Sequence, residues 1–554
     1  MKKDTRMGLP TLIWLGFSFI AGITFTASFA SIVGSSDNEA AKGVGIHILW
    51  IFAIEGLVAF ICAWAFARLI KVHPTANGGA SQYVRTAFGD FWGLFMGLIN
   101  YAVIPLVAMG LLVTMVRNNF GSGSVIELFG KNGIWGSWGK LYLDLISLAI
   151  YSVAAAILFF GIRKYKIVAN VIGYMTWSIT ILIMIVGIVV FSGNGFSGLE
   201  HYSNPENIDL TFFNFNNAFV SCFFAFCGLE SFITVGNNIK NRGKNMPIAM
   251  TIIMIATTIF YIVFTLILMG AVTSGFDENP NIQVFGQSSP FLKAFGGWIV
   301  ILCTVLMRFN SNLQVTLFGG SALEPMASQG FLPEKVSIKN KENVPVAGVI
   351  TSIGIVAITF ILFMLIPDII EGATGNASPF DYATIAAATS IMLISVYLMV
   401  LGTVLIQGMR KNIKTTWYEN TGWIIALAFL VLQFFMYFFD RIRQLIKGIE
   451  SMNGIGSGNG ISDVLGAIIP IIYFLGVIAA IFGIYYLYYK PKRAKWLANP
   501  DGVSKMEEIN LNFRILNETE IQTIMEEEKK IDEYWLEIKN NHLQAKKAKK
   551  LQNS

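Results

Sequence analysis

Apolar residues occur in this chain as long runs, which short polar segments separate. A helix needs about 20 apolar residues to cross a hydrocarbon core that is about 30 Å thick. Twelve runs of this kind precede residue 490. We therefore predict that residues 1–490 form an all-α membrane domain with twelve transmembrane helices, at residues 11–34, 44–67, 91–116, 141–161, 167–191, 212–236, 248–273, 294–322, 346–366, 382–408, 421–439 and 464–489.

The pattern changes after residue 490, where charged residues replace the apolar runs. A face with a spacing of three and four residues indicates an amphipathic helix that begins near Asn517. This face consists of Ile521, Ile524, Met525, Glu528, Ile531, Trp535 and Ile538. We predict a cytoplasmic helical tail at residues 491–554. It is either a solvated extension on the inner face of the bundle or a helix that binds an unknown partner.

Composition and charge support a protein of the lipid bilayer. Charged residues make up 13% of the chain, whereas soluble domains carry roughly 25%. If the amino terminus is cytoplasmic, the inner segments hold eighteen Lys and Arg and the outer segments hold eight, which follows the positive-inside rule. We predict a multi-pass protein of the plasma membrane with both termini in the cytoplasm. This bias accounts for the net charge of +6, so no nucleic-acid partner is inferred.

Two predicted spans contain residues that disfavour a continuous helix. The first contains Gly22, Thr24 and Thr26, and the sixth contains Gly228 and Glu230. Glycine also serves close helix packing, but lipid tolerates non-helical backbone only where it is buried in protein or lines a cavity. An interrupted helix frees N–H groups that can hold a carboxylate and C=O groups that can hold an ammonium group. Interruptions five spans apart predict an inverted repeat with a binding site at the membrane midplane.

Four segments resemble signatures of the amino acid, polyamine and organocation transporter superfamily, in particular its bacterial amino acid permeases and exchangers. The first span is similar to the family's G-S-G-I-F break, with Gly22, Ile23 and Thr24 in place of Gly-Ser-Gly. The other segments are HPTANGGASQYVRTAFGDFWGLFMG, FAFCGLESF…IKNRGKNMP and MASQGFLPEKVSIKNKENVPV. They stand in the family's order and cover spans one to eight.

The resemblance implies a LeuT-like fold with a five-plus-five inverted repeat. Its repeats lie at residues 11–191 and 212–408, and the spans at 421–489 are peripheral. The resemblance also implies that the substrate's carboxylate lies at the first break and its amino group near the second, with Phe224 as a gate. The substrate-binding residues implied in this way are Ala21, Gly22, Ile23, Thr24, Thr26, Phe224, Cys227, Gly228 and Glu230.

Three ionisable residues lie deep in predicted spans: Glu55, Glu230 and Arg308. Each costs roughly 2.5–3.5 kcal/mol at a helix centre, so each is expected to face the bundle interior or a partner. Glu230 either senses substrate or protons or caps the interrupted backbone. Arg308 either holds an acidic substrate group or pairs with Glu230 or Glu55. Glu230, Arg308 and Phe224 are the candidates for coupling or gating, and Glu55 is expected to be structural.

The predicted function is secondary active transport of amino acids or related organic cations by alternating access. Symport and antiport both stay open, and a polyamine is the alternative substrate. The rival class of function is a non-transporting receptor or scaffold that signals through the tail. The four His and four Cys form no metal-ligand spacing, and no enzyme motif occurs. We therefore expect no enzymatic activity, cofactor or metal; a homo-oligomer stays open.

Overall fold

The computed structural model describes residues 7–34, 42–73, 79–121, 126–129, 133–233, 239–276, 279–340, 344–375, 382–454, 460–527, 529–531, 533–534 and 537. In these ranges the chain forms helices and isolated bridges, without a β-strand. The helices are α1 (Leu9–Ile20), α2 (Phe29–Ile32), α3 (Ile48–Val72), α4 (Gly79–Phe88), α5 (Asp90–Met115), α6 (Gly139–Phe159), α7 (Ile162–Asn194), α8 (Ser197–Ser203), α9 (Phe212–Phe224), α10 (Leu229–Phe232), α11 (Arg242–Ala271), α12 (Pro280–Gly286), α13 (Pro290–Ser328), α14 (Val346–Phe360), α15 (Ile366–Thr374), α16 (Tyr382–Met409), α17 (Trp417–Met452), α18 (Ile461–Gly483), α19 (Lys490–Leu497) and α20 (Pro500–Asn512).

Eleven helices within these ranges are long and apolar enough to cross a membrane, judged by length and composition. The prediction of an all-helical chain is therefore confirmed, whereas the count of twelve spans is not reached. The predicted span at 212–236 is the one that is missing, because α9 has only 13 residues and ends at Phe224. The predicted span at 421–439 was too short, because α17 continues to Met452.

Helices α3 and α11 pack against each other in the core, and glycine makes their approach possible. A Cβ atom built on Gly56 of α3 would lie 2.3 Å from Oγ1 of Thr258 on α11. Phe52, on the same helix as Gly56, and Tyr261 on α11 are 1% exposed and pack with ring centroids 5.5 Å apart. Protein interiors are packed to crystal-like density, so this contact leaves no space for a larger side chain.

The start of the tail packs against the end of the bundle that carries Asp90, the first residue of α5. The Asp90 carboxylate is 2.6 Å from Arg493 Nη1 and accepts a hydrogen bond from the Tyr489 hydroxyl at 2.9 Å. Farther along the chain, the backbone N–H of Leu516 donates to the carbonyl of Val72 at 3.1 Å. The tail therefore contacts the ends of both α5 and α3.

A further helical segment of the tail, residues 518–527, follows α20 and begins beside Asn517. The Asn517 side chain accepts from the Glu520 N–H, and the Glu520 carboxylate accepts from the Asn517 N–H, each at 2.9 Å. This reciprocal pair is a capping box, which fixes the start of the helix. The bond from Asn517 and the neighbouring Arg514 hold the pKa of Glu520 below its ordinary value. Glu528, Trp535 and Ile538 of the predicted face lie outside the described residues.

Replacing Gly56 by Val tests the close approach of α3 and α11. The variant is expected to lose about 1–3 kcal/mol of stability, because overpacking forces the helices apart. Thermal unfolding of the purified protein in detergent measures the loss. Gly476→Val is the matched control, because a Cβ atom at Gly476 meets nothing within 4 Å. Equal melting temperatures for the two variants would contradict the role of Gly56.

Candidate functional site

The first and sixth predicted spans are both interrupted, and the two interruptions lie next to each other. Helix α1 ends at Ile20, Ala21 and Gly22 are extended, and a 3-10 turn follows at Ile23–Ser28. In the other segment α9 ends at Phe224, and Gly228 has a φ of +119°, which L side chains rarely adopt. A Cβ atom at Gly228 would lie 2.4 Å from Cε1 of Phe19. Glycine is therefore required there both by the backbone angle and by the contact between the segments.

Tyr261 of α11 links the two helix ends. Its hydroxyl lies 2.7 Å from the carbonyl oxygen of Ile20 and 2.7 Å from that of Ala225. These carbonyls stand where α1 and α9 stop, so they have lost their intrahelical partners. The tyrosine is 1% exposed and supplies the donor that water would otherwise supply. Sequence reasoning missed Tyr261, because a tyrosine in an apolar span carries no signal of this contact.

A cavity of about 60 Å³ lies where the two segments meet α5 and α13. A buried water needs roughly 10–15 Å³ by this measure, so the cavity has room for a few waters or part of a small solute. The predicted site residues Ala21, Gly22, Phe224, Cys227 and Arg308 are all in its lining. The other described lining residues are Ser18, Phe19, Ile20, Phe25, Val107, Leu111, Ala225, Tyr261, Met307 and Ser311.

Three predicted binding residues lie beside the cavity and are not in its lining. Thr26 is buried and accepts a hydrogen bond from Asn281 Nδ2 at 3.1 Å. Gly228 packs on Phe19, and Glu230 lies just beyond it. The side chains of Ile23 and Thr24 lie outside the described part of the chain, so their roles stay predictions.

The carboxylate of Glu230 turns back toward the interrupted backbone. Both of its oxygens lie 3.1 Å from the N–H of Gly228, and the side chain is fully buried. The Tyr397 hydroxyl donates to Oε2 at 3.3 Å, and Cys227 Sγ is 3.6 Å from Oε1. These bonds satisfy an N–H group that the interruption has freed. They favour the capping role of Glu230, and they leave its role in coupling a prediction.

The other two intramembrane ionisable residues, Glu55 and Arg308, have different surroundings. Glu55 accepts a hydrogen bond from Gln433 of α17, so its described contact is not the predicted one with Arg308. Arg308 is 6% exposed and lines the cavity. Pairing of Arg308 with Glu230 stays a prediction.

Comparison with known proteins identifies the family. Residues 7–443 match the family model described as amino acid permease. The chain belongs to this family. The relatives include the putrescine transporter PotE of Haemophilus influenzae, 26% identical over 55% of this chain and 66% of its own length. PotE of Escherichia coli is 24% identical over 63% of this chain and 74% of its own length, and the branched-chain amino acid permease BcaP of Lactococcus lactis is 24% identical over 79% and 91%.

Membership in this family confirms the resemblance that the four sequence segments indicated. The family consists of permeases, which agrees with eleven apolar helices in the described residues. The matched region ends at residue 443, before α18 and the tail. The tail therefore lies beyond the part of the chain that the family model describes.

Tyr261→Phe tests the link between the two helix ends. Loss of the hydroxyl removes the one donor hydrogen that the two buried carbonyls share, so we expect a stability loss of about 1–3 kcal/mol and slower transport. Tyr437→Phe is the matched control, because the buried Tyr437 hydroxyl has no hydrogen-bond partner among the described residues. Thermal unfolding and solute uptake measure both variants. If Tyr261→Phe behaves like Tyr437→Phe, the link is not needed.

Glu230→Gln separates the two roles of the carboxylate. Gln keeps one oxygen acceptor and replaces the other by an NH₂ donor, which faces the Gly228 N–H unfavourably. We expect a loss of about 1–3 kcal/mol in stability and an unchanged shape of the pH profile of uptake. A stable variant with an altered pH profile would instead show that Glu230 senses substrate or protons.

Proposed function

We propose that this protein is a secondary active transporter of amino acids or related organic cations that works by alternating access in the plasma membrane. The observation that carries the proposal is the cavity between the two interrupted segments. Half-helix ends beside a cavity carry the dipoles of their helices, and such ends suit a zwitterion, which presents one carboxylate and one ammonium group. The permease family adds independent support.

The architecture that this proposal requires is the five-plus-five inverted repeat. In it, the segment of α1 and α2 is the interrupted first helix of one repeat, and α9 and α10 form the interrupted first helix of the other. Helices α17 and α18 are peripheral. The excess of Lys and Arg on the side of the tail supports cytoplasmic termini.

The lining of the cavity favours an amino acid over a diamine. Among its described residues, Arg308 is the one with a formal charge, and that charge is positive. A buried cation attracts a carboxylate and repels an ammonium group. A diamine such as the solute of the PotE relatives carries two positive charges and no carboxylate. The apolar lining from Val107, Leu111 and Met307 suits an apolar substrate side chain.

The alternative is a receptor or scaffold that signals through the tail. The tail contacts near Asp90 and Val72 are compatible with it. A scaffold, however, has no need of a cavity between two helix interruptions, and a buried interruption is costly to maintain. Transport is therefore the function that the site supports best.

Uptake into proteoliposomes tests the proposal. Wild-type protein is expected to accumulate at least one labelled amino acid, and labelled putrescine serves as the competing substrate. Gly22→Val is expected to abolish uptake while the protein stays folded, because its Cβ atom would lie 2.7 Å from Met307 Sδ inside the cavity. Gly476→Val is the control with an open environment. Uptake that needs internal unlabelled amino acid indicates exchange.

Truncation of the chain after residue 498 distinguishes the transport proposal from the receptor alternative, which requires the tail. No described tail residue is in the lining of the cavity, so truncated protein is expected to transport at the wild-type rate. Absence of uptake of every amino acid by stable wild-type protein would reject the transport proposal.

A further inference from the structure

A group of five charged side chains lies at the end of α5 that is opposite Asp90 and the tail. We call Arg117, Lys140, Asp144, Asp368 and Glu371 the remote cluster. Arg117 Nη1 is 3.0 Å from Asp144 Oδ2 and 3.6 Å from Asp368 Oδ1. Lys140 Nζ is 2.8 Å from Glu371 Oε1. The cluster therefore joins the ends of α5, α6 and α15.

The centre of the remote cluster is closed to solvent. Arg117 is 5% exposed, Asp368 is 1% exposed and Asp144 is fully buried. Asp144 and Asp368 also lie close enough to interact with each other. Two carboxyl groups therefore share one guanidinium in a buried site.

The remote cluster contains one more acid than base. Fully ionised, its three acids and two bases give a net charge of −1. Lys140 contacts Glu371, whereas Asp144 and Asp368 have the one guanidinium of Arg117 between them. An uncompensated buried charge is strongly unfavourable, and two carboxylates that share a site do not both stay ionised.

Hydrogen bonding leads to the same pair of side chains. Among the described residues, Asp144 Oδ1 and both carboxyl oxygens of Asp368 have no hydrogen-bond partner. Ionised carboxylates only accept hydrogen bonds, whereas a protonated carboxyl donates one. A proton on either carboxyl supplies the donor that the other lacks. Such a proton belongs to the pair rather than to one residue.

We propose that Asp144 and Asp368 form a binding site for a single proton, and that this proton holds α6 and α15 against the end of α5. Arg117 contacts both carboxyl groups and repels a metal cation, so the chemistry selects a proton over sodium. When the proton leaves, two negative charges face each other, and the three helix ends are held together less tightly.

Amide side chains connect this end of α5 to the first interruption. Asn119, two residues after Arg117, accepts from Asn279 Nδ2 at 3.1 Å. Asn281 Nδ2 lies 3.4 Å from Asn279 Oδ1 and 3.1 Å from Thr26 Oγ1. Thr26 lies in the 3-10 turn that follows the cavity residue Gly22. Polar contacts thus link the turn that carries Arg117 to the turn beside the proposed substrate site, where an altered packing can change the transport cycle.

Thermal unfolding in detergent tests the proton site without any transport assay. The melting temperature of wild-type protein is expected to fall as pH rises from about 5 to about 9, because the proton is lost. Asp368→Asn and Asp144→Asn each remove one carboxylate and mimic the protonated pair, so both are expected to flatten this dependence. Glu419→Gln is the control: Glu419 pairs with Arg68 at the other end of the bundle, and its loss is expected to keep the wild-type slope.

Three results would contradict a proton site at Asp144 and Asp368. A wild-type melting temperature that does not change with pH would overturn it, even if neither Asn variant folds. Asn variants that keep the wild-type slope would also overturn it, and so would stabilisation by sodium at constant pH that both Asn variants abolish.

A second experiment measures the coupling and rests on the proposed transport function. External pH is varied in proteoliposomes while internal pH is clamped. Wild-type uptake is expected to change in one titration step, and Asp368→Asn is expected to transport at the low-pH rate throughout. If melting shows the proton site but uptake is absent, the transport function fails while the site stands. If uptake of Asp368→Asn keeps the wild-type step, the coupling is wrong.

Discussion

Backbone hydrogen bonding in apolar surroundings is the constraint on which this structure depends. Each peptide group that leaves a helix inside lipid needs a new partner. At α1 and α9 these partners come from the protein: the Tyr261 hydroxyl serves the carbonyls of Ile20 and Ala225, and Glu230 serves the N–H of Gly228. The interruptions persist because these side chains replace the lost bonds, and the cavity exists because the interruptions persist.

Helices α11 and α5 connect the interrupted segments to other parts of the molecule. Helix α11 packs on α3 through the contact at Gly56 and presents Tyr261 to both helix ends. Helix α5 starts at Asp90, which contacts the tail, passes the cavity at Leu111 and leads to Arg117. At 1.5 Å per residue, Arg117 lies about 9 Å beyond Leu111. The chain from Asp90 to Arg117 therefore contacts the tail, the proposed substrate site and the remote cluster.

The buried charges at the interruptions differ in what they contact. The carboxylate of Glu230 is directed toward the backbone, while Arg308 lines the cavity. The Gly228 N–H and the Tyr397 hydroxyl both donate to the oxygens of Glu230, so this side chain is engaged by the protein. Under the proposed function, the positive charge of Arg308 in the lining suits the carboxylate of an amino acid.

The sequence by itself determined the class of the protein. The all-helical membrane chain followed from the length of the apolar runs and the asymmetry of charge, and the family followed from four motifs. These features are readable because the thickness of the bilayer sets the length of a span, and a helix interruption needs particular residues at one place in the chain. The sequence also located Gly22 and Gly228 as sites where the helix is disfavoured. Only the tertiary structure decided that Tyr261 joins the two segments, that Thr26 is bonded to Asn281, and that Arg117 gathers two aspartates. These contacts bring together residues far apart in the chain, and their side chains meet only when the helices have packed.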